Sequence, residues 1–415
     1  MINILKIASK NLMRYRRRTV LTTLLITIGI VAVLLFISLS GSFRALMVGQ
    51  ITDAMLGHVQ IHKKGYVASI ESLPLTLNMK SAMVEKVTDY LSEREDIEAW
   101  TTRIKFGAMF SNFKETTSIR FNSIDPEMEI ATSPLLPGRL IQGDRKAVFV
   151  EPGKIVIPEL IAKGLKVKVG DSIVIVATNR EGSVNGNTFV IRGVLEGISG
   201  PGGRDGYMHI DDARKLLRME DNEISEIAIR LKSSKALSKI HKEMNTHFGQ
   251  FINKAGKPAF EVHTWEKLSP FSNIAKMIDM LDVFIKVMLV AIVLISIMNV
   301  MLMAVYERIN EIGTIAAIGT IPSRILSLFV TEGLLLGILG AFIGSIISFV
   351  IVYIMNVKTI SFSFGRQENL VLQPTLDINE VLIISLVVVL VSVLASLQPA
   401  WKASRMDPIE ALRHF

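Results

Sequence analysis

Apolar residues fall into blocks along this chain, separated by mixed and polar stretches. Four blocks, residues 20–39, 283–303, 326–355 and 381–397, match the roughly 20 residues a helix needs to cross about 30 Å of hydrocarbon. The first and last contain no charged residue, and the middle two carry one each, Lys286 and Glu332. The fourth is short, which puts its edges a few residues beyond those limits. The third is longer than one crossing requires and implies tilt or protrusion. Residues 40–282, between the first two blocks, mix and alternate instead. Residues 57–62 and 172–176 alternate as strands, 81–92 and 235–248 have helical spacing, and 200–206 read as a loop. The pattern predicts a large α+β domain of one or two subdomains, helical near its ends and strand-rich from about 147 to 231. Ahead of the first block, Ile4, Leu5, Ala8, Leu12 and Tyr15 recur at three- and four-residue steps, with Lys6, Lys10, Arg14 and Arg17 offset from them. That spacing predicts an amphipathic helix on the inner leaflet, its cations toward lipid phosphates.

Composition and charge orient this layout. Half of the 415 residues are apolar, and the formal net charge is +8. Residues 1–19 hold Lys6, Lys10, Arg14, Arg16, Arg17 and Arg18 and no acidic residue; a basic cluster beside a hydrophobic span marks the cytoplasmic side. Arg308 and Arg324 lie between the second and third blocks, and Lys402, Arg405 and Arg413 follow the fourth. Residues 356–380 set Lys358 and Arg366 against Glu368, Asp377 and Glu380. Both termini are therefore predicted inside. The order becomes a cytoplasmic amphipathic helix 1–19, span 20–39, outer domain with stalk ends 40–282, span 283–305, inner loop 306–325, span 326–355, short outer loop 356–380, span 381–399 and tail 400–415. The run at 20–39 exceeds the about 7–15 residues of a signal-peptide core, so an uncleaved anchor is expected. No nucleic-acid motif accompanies the basic charge, and no nucleic-acid partner is expected. The chain has no cysteine, which excludes disulfides and thiolate metal sites.

The search for catalytic chemistry finds little. No phosphate-cradling Gly-x-x-x-x-Gly-Lys-Ser/Thr loop and no His-Glu-x-x-His motif occurs. His58 and His62 share one strand face with Gln60; without a carboxylate nearby they read as a solvated face rather than a metal site. The inner loop from Tyr306 to Pro322 is too apolar for a plain connection. Ile309, Ile312, Ile315 and Ala316 align on a helix that Gly319 and Pro322 end. Such a helix either docks in a partner's groove or lies on the membrane. Gly333, Gly337, Gly340 and Gly344 form small-xxx-small pairs that allow close helix approach, inside the subunit or across a dimer. Glu332 is an intramembrane charge that either snorkels or pairs with a basic group such as Arg324.

Glu307-Arg308-x-x-Glu311-Ile312-Gly313, followed by Ala317-Ile318-Gly319, resembles the FtsX/MacB-type ABC transporter permeases. So does the ending Pro399-Ala400-x-Lys402-Ala403-Ser404-Arg405-x-Asp407-Pro408-Ile409-Glu410-Ala411-Leu412-Arg413. The opening Lys10-Asn11-Leu12-x-Arg14-x-Arg16-Arg17-Arg18-Thr19 is similar to that family's amino-terminal helix, and residues 57–66 look closest to its lipoprotein-releasing (Lol-type) branch. The resemblance implies a non-catalytic bacterial inner-membrane subunit working as a dimer with an identical or paralogous permease. A cytoplasmic ABC ATPase would bind the ATP and Mg, this chain binding no cofactor. The ATPase would dock on the coupling loop, where Glu307, Arg308, Glu311, Ile312, Gly313, Ile315 and Gly319 lie. Stalk extensions at 40–55 and 270–282 would carry motion to the outer face, acting on a hydrophobic substrate, a lipoprotein first of all. A MacB-like exporter of drugs, peptides or lipids with a periplasmic partner, or an FtsX-like activator of a cell-wall hydrolase, are the alternatives.

Overall fold

Long runs of Leu, Ile and Val with no internal break keep a helix going until a polar or glycine signal ends it. The computed structural model describes residues 2–196, 201–219, 221–254, 256–269, 272–358, 360–364 and 367–407. Contacts divide the chain into two units, Met1–Leu46 with Ala275–Phe415, and Met47–Ile274. Among the described residues, four helices are long and apolar enough to cross a membrane: Arg16–Leu56, Ser272–Glu307, Pro322–Val357 and Ile378–Ser404. All outrun the apolar blocks that nucleate them. The helices Arg16–Ile51, Ser272–Glu307 and Pro322–Val357 have 36 residues each, about 54 Å at 1.5 Å per residue, well beyond a hydrocarbon core of about 30 Å. The fourth continues through Pro399 to Ser404, so the tail expected from residue 400 begins as helix.

The bundle core joins Ile26, Ile30 and Leu34 of the first long helix to Val293, Ile297, Phe329, Leu336 and Val388. The glycine stripe of the third span is used inside the subunit at every position. A Cβ on Gly333 or Gly337 would meet Ser396 or Ser392 of the fourth span at 2.6–2.9 Å, and one on Gly340 or Gly344 would run into Ile26 or Ile30 of the first. Ser392 Oγ also donates to the Gly333 carbonyl at 2.7 Å. Arg44 bridges to Asp279 through two hydrogen bonds, 2.5 and 3.2 Å, where the first and second long helices pass beyond their apolar blocks. The outer loop contains a hairpin, Ile360–Phe364 with Gln367–Leu372, that the pattern did not signal. Arg366, residues 270–271 and the ending from 408 to 413 lie outside the described residues.

The second unit is built on ten strands: β1 (Val59–Lys63), β2 (Ile97–Ser111), β3 (Thr116–Ile124), β4 (Leu140–Gln142), β5 (Lys154–Pro158), β6 (Ser172–Thr178), β7 (Val184–Leu195), β8 (Asp205–His209), β9 (Glu226–Leu231) and β10 (Phe260–Thr264). The order β10-β1-β9-β2-β3-β8-β5-β7-β4 is completed by β6, which pairs with both β2 and β7. β2, β3, β8, β5, β7 and β6 thereby close into a ring, with β3·β8 and β5·β7 the parallel pairs. β2 belongs to both halves: residues 97–103 pair with β9 in the open sheet, and 108–111 pair with β6 in the ring. Its inward positions Ile104, Phe106, Ala108 and Phe110 alternate with outward ones, the period of a strand with one buried face.

The expected concentration of strands between 147 and 231 is corrected here. β1 and β10, from opposite ends of the segment, pair with each other, and the longest strand precedes residue 147, because ladders join residues distant in sequence. Helices Ser81–Ser92 and Leu237–Gly249 match their spacing and bury Val87, Leu91, Ile240, Met244 and Phe248. Within the expected loop at 200–206, residues 201–204 are a 3-10 turn and β8 begins at Asp205; residues 197–200 lie outside the description.

Candidate functional site

In the first unit the inner-loop residues form a short helix, Ile309–Ala317. Gly319 follows at φ +94°, a left-handed conformation that glycine adopts without a Cβ penalty, and Pro322 starts the third span, where a missing N–H is harmless. The loop helix has two faces. Ile312 and Gly313 are buried in the chain's own bundle. Glu307, Thr314, Ile315, Ile318 and Gly319 face out, and Ile318 is 80 % exposed.

Arg308 points inward. Its guanidinium lies 5.2 Å from the Tyr15 ring and 5.6 Å from the Phe329 ring. Its Nε donates to Glu311 Oε2 at 3.0 Å, and its Nη1 to Glu332 Oε1 at 3.0 Å. Glu332 is completely buried and accepts a further hydrogen bond from Asn11 Nδ2 at 2.9 Å. Arg18 Nη2 approaches it at 3.5 Å. Glu332 therefore pairs with Arg308 and Arg18, not with Arg324, whose side chain is exposed, and it does not snorkel. Tyr15 Oη donates to Glu311 Oε1 at 2.5 Å; that bond first, and Arg308 second, hold the Glu311 carboxyl below its usual range. Lys402 bonds the Tyr306 hydroxyl, joining the carboxyl-terminal ends of the second and fourth long helices. Ala8 and Leu12 are buried against the bundle, so part of the amino-terminal helix's apolar stripe packs on protein, while Lys6, Lys10 and Arg14 stay exposed. Asn11, Tyr15 and Arg18 are the members that sequence reasoning missed, because a stripe and a basic run conceal individual partners.

The second unit holds another cluster. Arg103 donates to Glu129 at 2.9 and 2.6 Å and to Glu226 at 2.9 Å, and Lys105 Nζ lies 2.8 Å from Glu226. His62 Nε2 is 3.4 Å from Glu226, with both side chains fully buried. The reading of residues 58–62 as a solvated face is thus corrected: His58, Gln60 and His62 are all buried, with His62 stacked on the Tyr66 ring at 5.2 Å and set against Glu226. Burial, opposed by Glu226, pushes His62 below its ordinary pKa. Burial would raise the Glu226 carboxyl, but Lys105, His62 and Arg103 hold it well below the carboxylate range. Among the described residues no group of three or more His, Asp or Glu side chains is arranged to hold a metal.

Two family models match the sequence. The MacB-like periplasmic core domain matches residues 19–247, and the FtsX-like permease C-terminal region matches 283–408. A lipoprotein-releasing system transmembrane protein, LolC, of Haemophilus influenzae is 23 % identical over 63 % of this chain and 64 % of its own length. This chain therefore spans just under two thirds of that relative. A macrolide export ATP-binding/permease protein, MacB, of Syntrophobacter fumaroxidans is 34 % identical over 27 % of this chain and 14 % of the relative. The periplasmic region of MacB from Actinobacillus actinomycetemcomitans superposes with a TM-score of 0.34 at 13 % identity, covering 51 % of this chain and 89 % of that structure.

Proposed function

Because this chain belongs to the family of permeases with a MacB-like periplasmic core domain and an FtsX-like carboxyl-terminal region, we propose that it is the membrane subunit of an ABC transporter. In this reading a separate cytoplasmic ATPase supplies the ATP chemistry, and the permease, paired with a second copy or a paralogue in a bacterial inner membrane with both termini inside, does mechanical work at its outer face. The observation that carries it is the outward face of the loop helix. Ile315, Ile318 and Ile321 stand exposed in a segment bounded by two spans, which is what a partner's groove would take up. The excess length of the first and second long helices supports their role as stalks.

The substrate we favour is a lipoprotein, extracted from the outer leaflet, in line with the name of the Haemophilus relative. Export of a drug, peptide or lipid is the second reading, supported by the shorter match to the macrolide exporter. Release assays separate them: vesicles containing the chain, its ATPase and an acylated protein should release that protein on ATP addition. ATP turnover without release would reject the lipoprotein reading and leave the exporter.

A further inference from the structure

The loop motif Glu307-Arg308-x-x-Glu311-Ile312-Gly313 separates into an outward residue, Glu307, and members directed inward, of which Arg308 and Glu311 make polar ties. Arg308 is bonded to the third span at Glu332 and to its own helix at Glu311. Glu332 is bonded in turn to Asn11 of the helix Ile2–Arg14, and Tyr15, which ends that helix, is bonded to Glu311. The geometry points to a joint: Tyr15, Arg308 and Glu332 fasten the loop helix to the amino-terminal helix and to the third span, so that the amino-terminal helix is a moving part of the coupling machinery and not a float on the lipid.

Two independent features lead there. Parting the loop helix from the third span takes Arg308 from a fully buried carboxylate and leaves it only Asn11 and Arg18, which costs more than moving the tied elements together. A helix that only floated would keep its apolar stripe for acyl chains, whereas Ala8 and Leu12 are buried in the bundle. Arg308, Glu332 and Tyr15 are positioning residues, acting through the elements they tie. The inference rests on the transporter reading only for what drives the motion.

Hydrogen exchange on the full chain in phosphatidylethanolamine–phosphatidylglycerol nanodiscs, without ATPase, tests the fastening. Glu332→Gln, Arg308→Lys and Tyr15→Phe should each speed exchange in both the 2–14 and 309–317 helices by about ten- to a hundredfold, the scale of one lost charged hydrogen bond. Arg324→Gln, on the exposed side of the same loop, should change neither. Exchange that rises at 309–317 while 2–14 stays protected in all three variants overturns the joint. A spin label on Lys10→Cys, in a chain with no other cysteine, reads the motion: with ATPase bound, its mobility should change with nucleotide in the wild type and not in Arg308→Lys. A label that ignores nucleotide while ATP is turned over also overturns the joint. An ATPase that never binds the wild type would instead overturn the transporter reading, the exchange result still deciding the joint.

Discussion

Both units of this protein bury glutamates completely beside cationic side chains, Glu129 and Glu226 in the second unit and Glu332 in the bundle, and Glu226 and Glu332 differ in what they hold. Glu226 joins Arg103 and Lys105 of β2 to His62 of β1, strands that β9 already links by backbone ladders. Its cluster is redundant with the sheet. Glu332 joins a helix, a loop helix and two spans that no ladder connects. Buried ion pairs contribute little net stability but cost heavily when one partner is removed. Placed across rigid strands, such a pair specifies register. Placed across separate helices, it decides which of them move as one.

The most severe way to break this contrast is Arg103→Met, which leaves Glu129 buried without Arg103 and Glu226 with Lys105 and His62 alone. It should cost the second unit about 3–5 kcal/mol, read as an earlier unfolding of the full chain by the fluorescence of Trp100 and Trp265. An unchanged midpoint would make the cluster dispensable. Next in size is Gly333→Val, whose side chain has no room beside Ser396 and Ser392. Overpacking of this kind costs about 1–3 kcal/mol, seen as reduced thermal stability in detergent, and a neutral result would deny the internal role of the glycine stripe.

His62→Gln has a smaller effect and a defined sign. Burial holds His62 below its ordinary pKa, so as pH falls through about 6.5 the unfolded chain takes up the proton first. Stability from this group is complete above that pH and is lost below it. Glu226, held well below the carboxylate range, adds a second loss below about pH 4.3. The substitution should flatten the stability profile between about pH 7 and 5 and spare the lower limb; an unaltered upper limb would mean that His62 titrates normally. Ile318→Arg should have the least effect on stability, within about 0.5 kcal/mol for an exposed site. It should nevertheless abolish co-purification of the ATPase, and retained binding would remove Ile318 from the docking face.

The sequence was most legible where a feature is local. Spans of apolar residues, the helix at 81–92 and the turn at Gly319 depend on neighbours within one or two helical turns, so period and composition suffice to place them. The inner loop's helix was legible too, but not which of its sides faces out: Ile309, Ile312 and Ile315 look alike in a stripe, and only packing separates the buried Ile312 from the exposed Ile318. His58 and His62, before and within β1, looked solvated because a strand's polar alternation says nothing about what covers it.

By itself, then, the sequence determined four membrane-length helices, a mixed domain between the first two, a basic amino-terminal flank and a family-like loop, all consequences of short-range pattern. Only the tertiary structure decided that β2 feeds both an open sheet and a closed ring, that the glycine stripe serves two different neighbours, and that Glu332 meets Arg308 and Asn11. These partners lie 24 and 321 residues away along the chain. A buried charge must find compensation wherever the fold brings a donor within reach, and no periodicity encodes a meeting at that range.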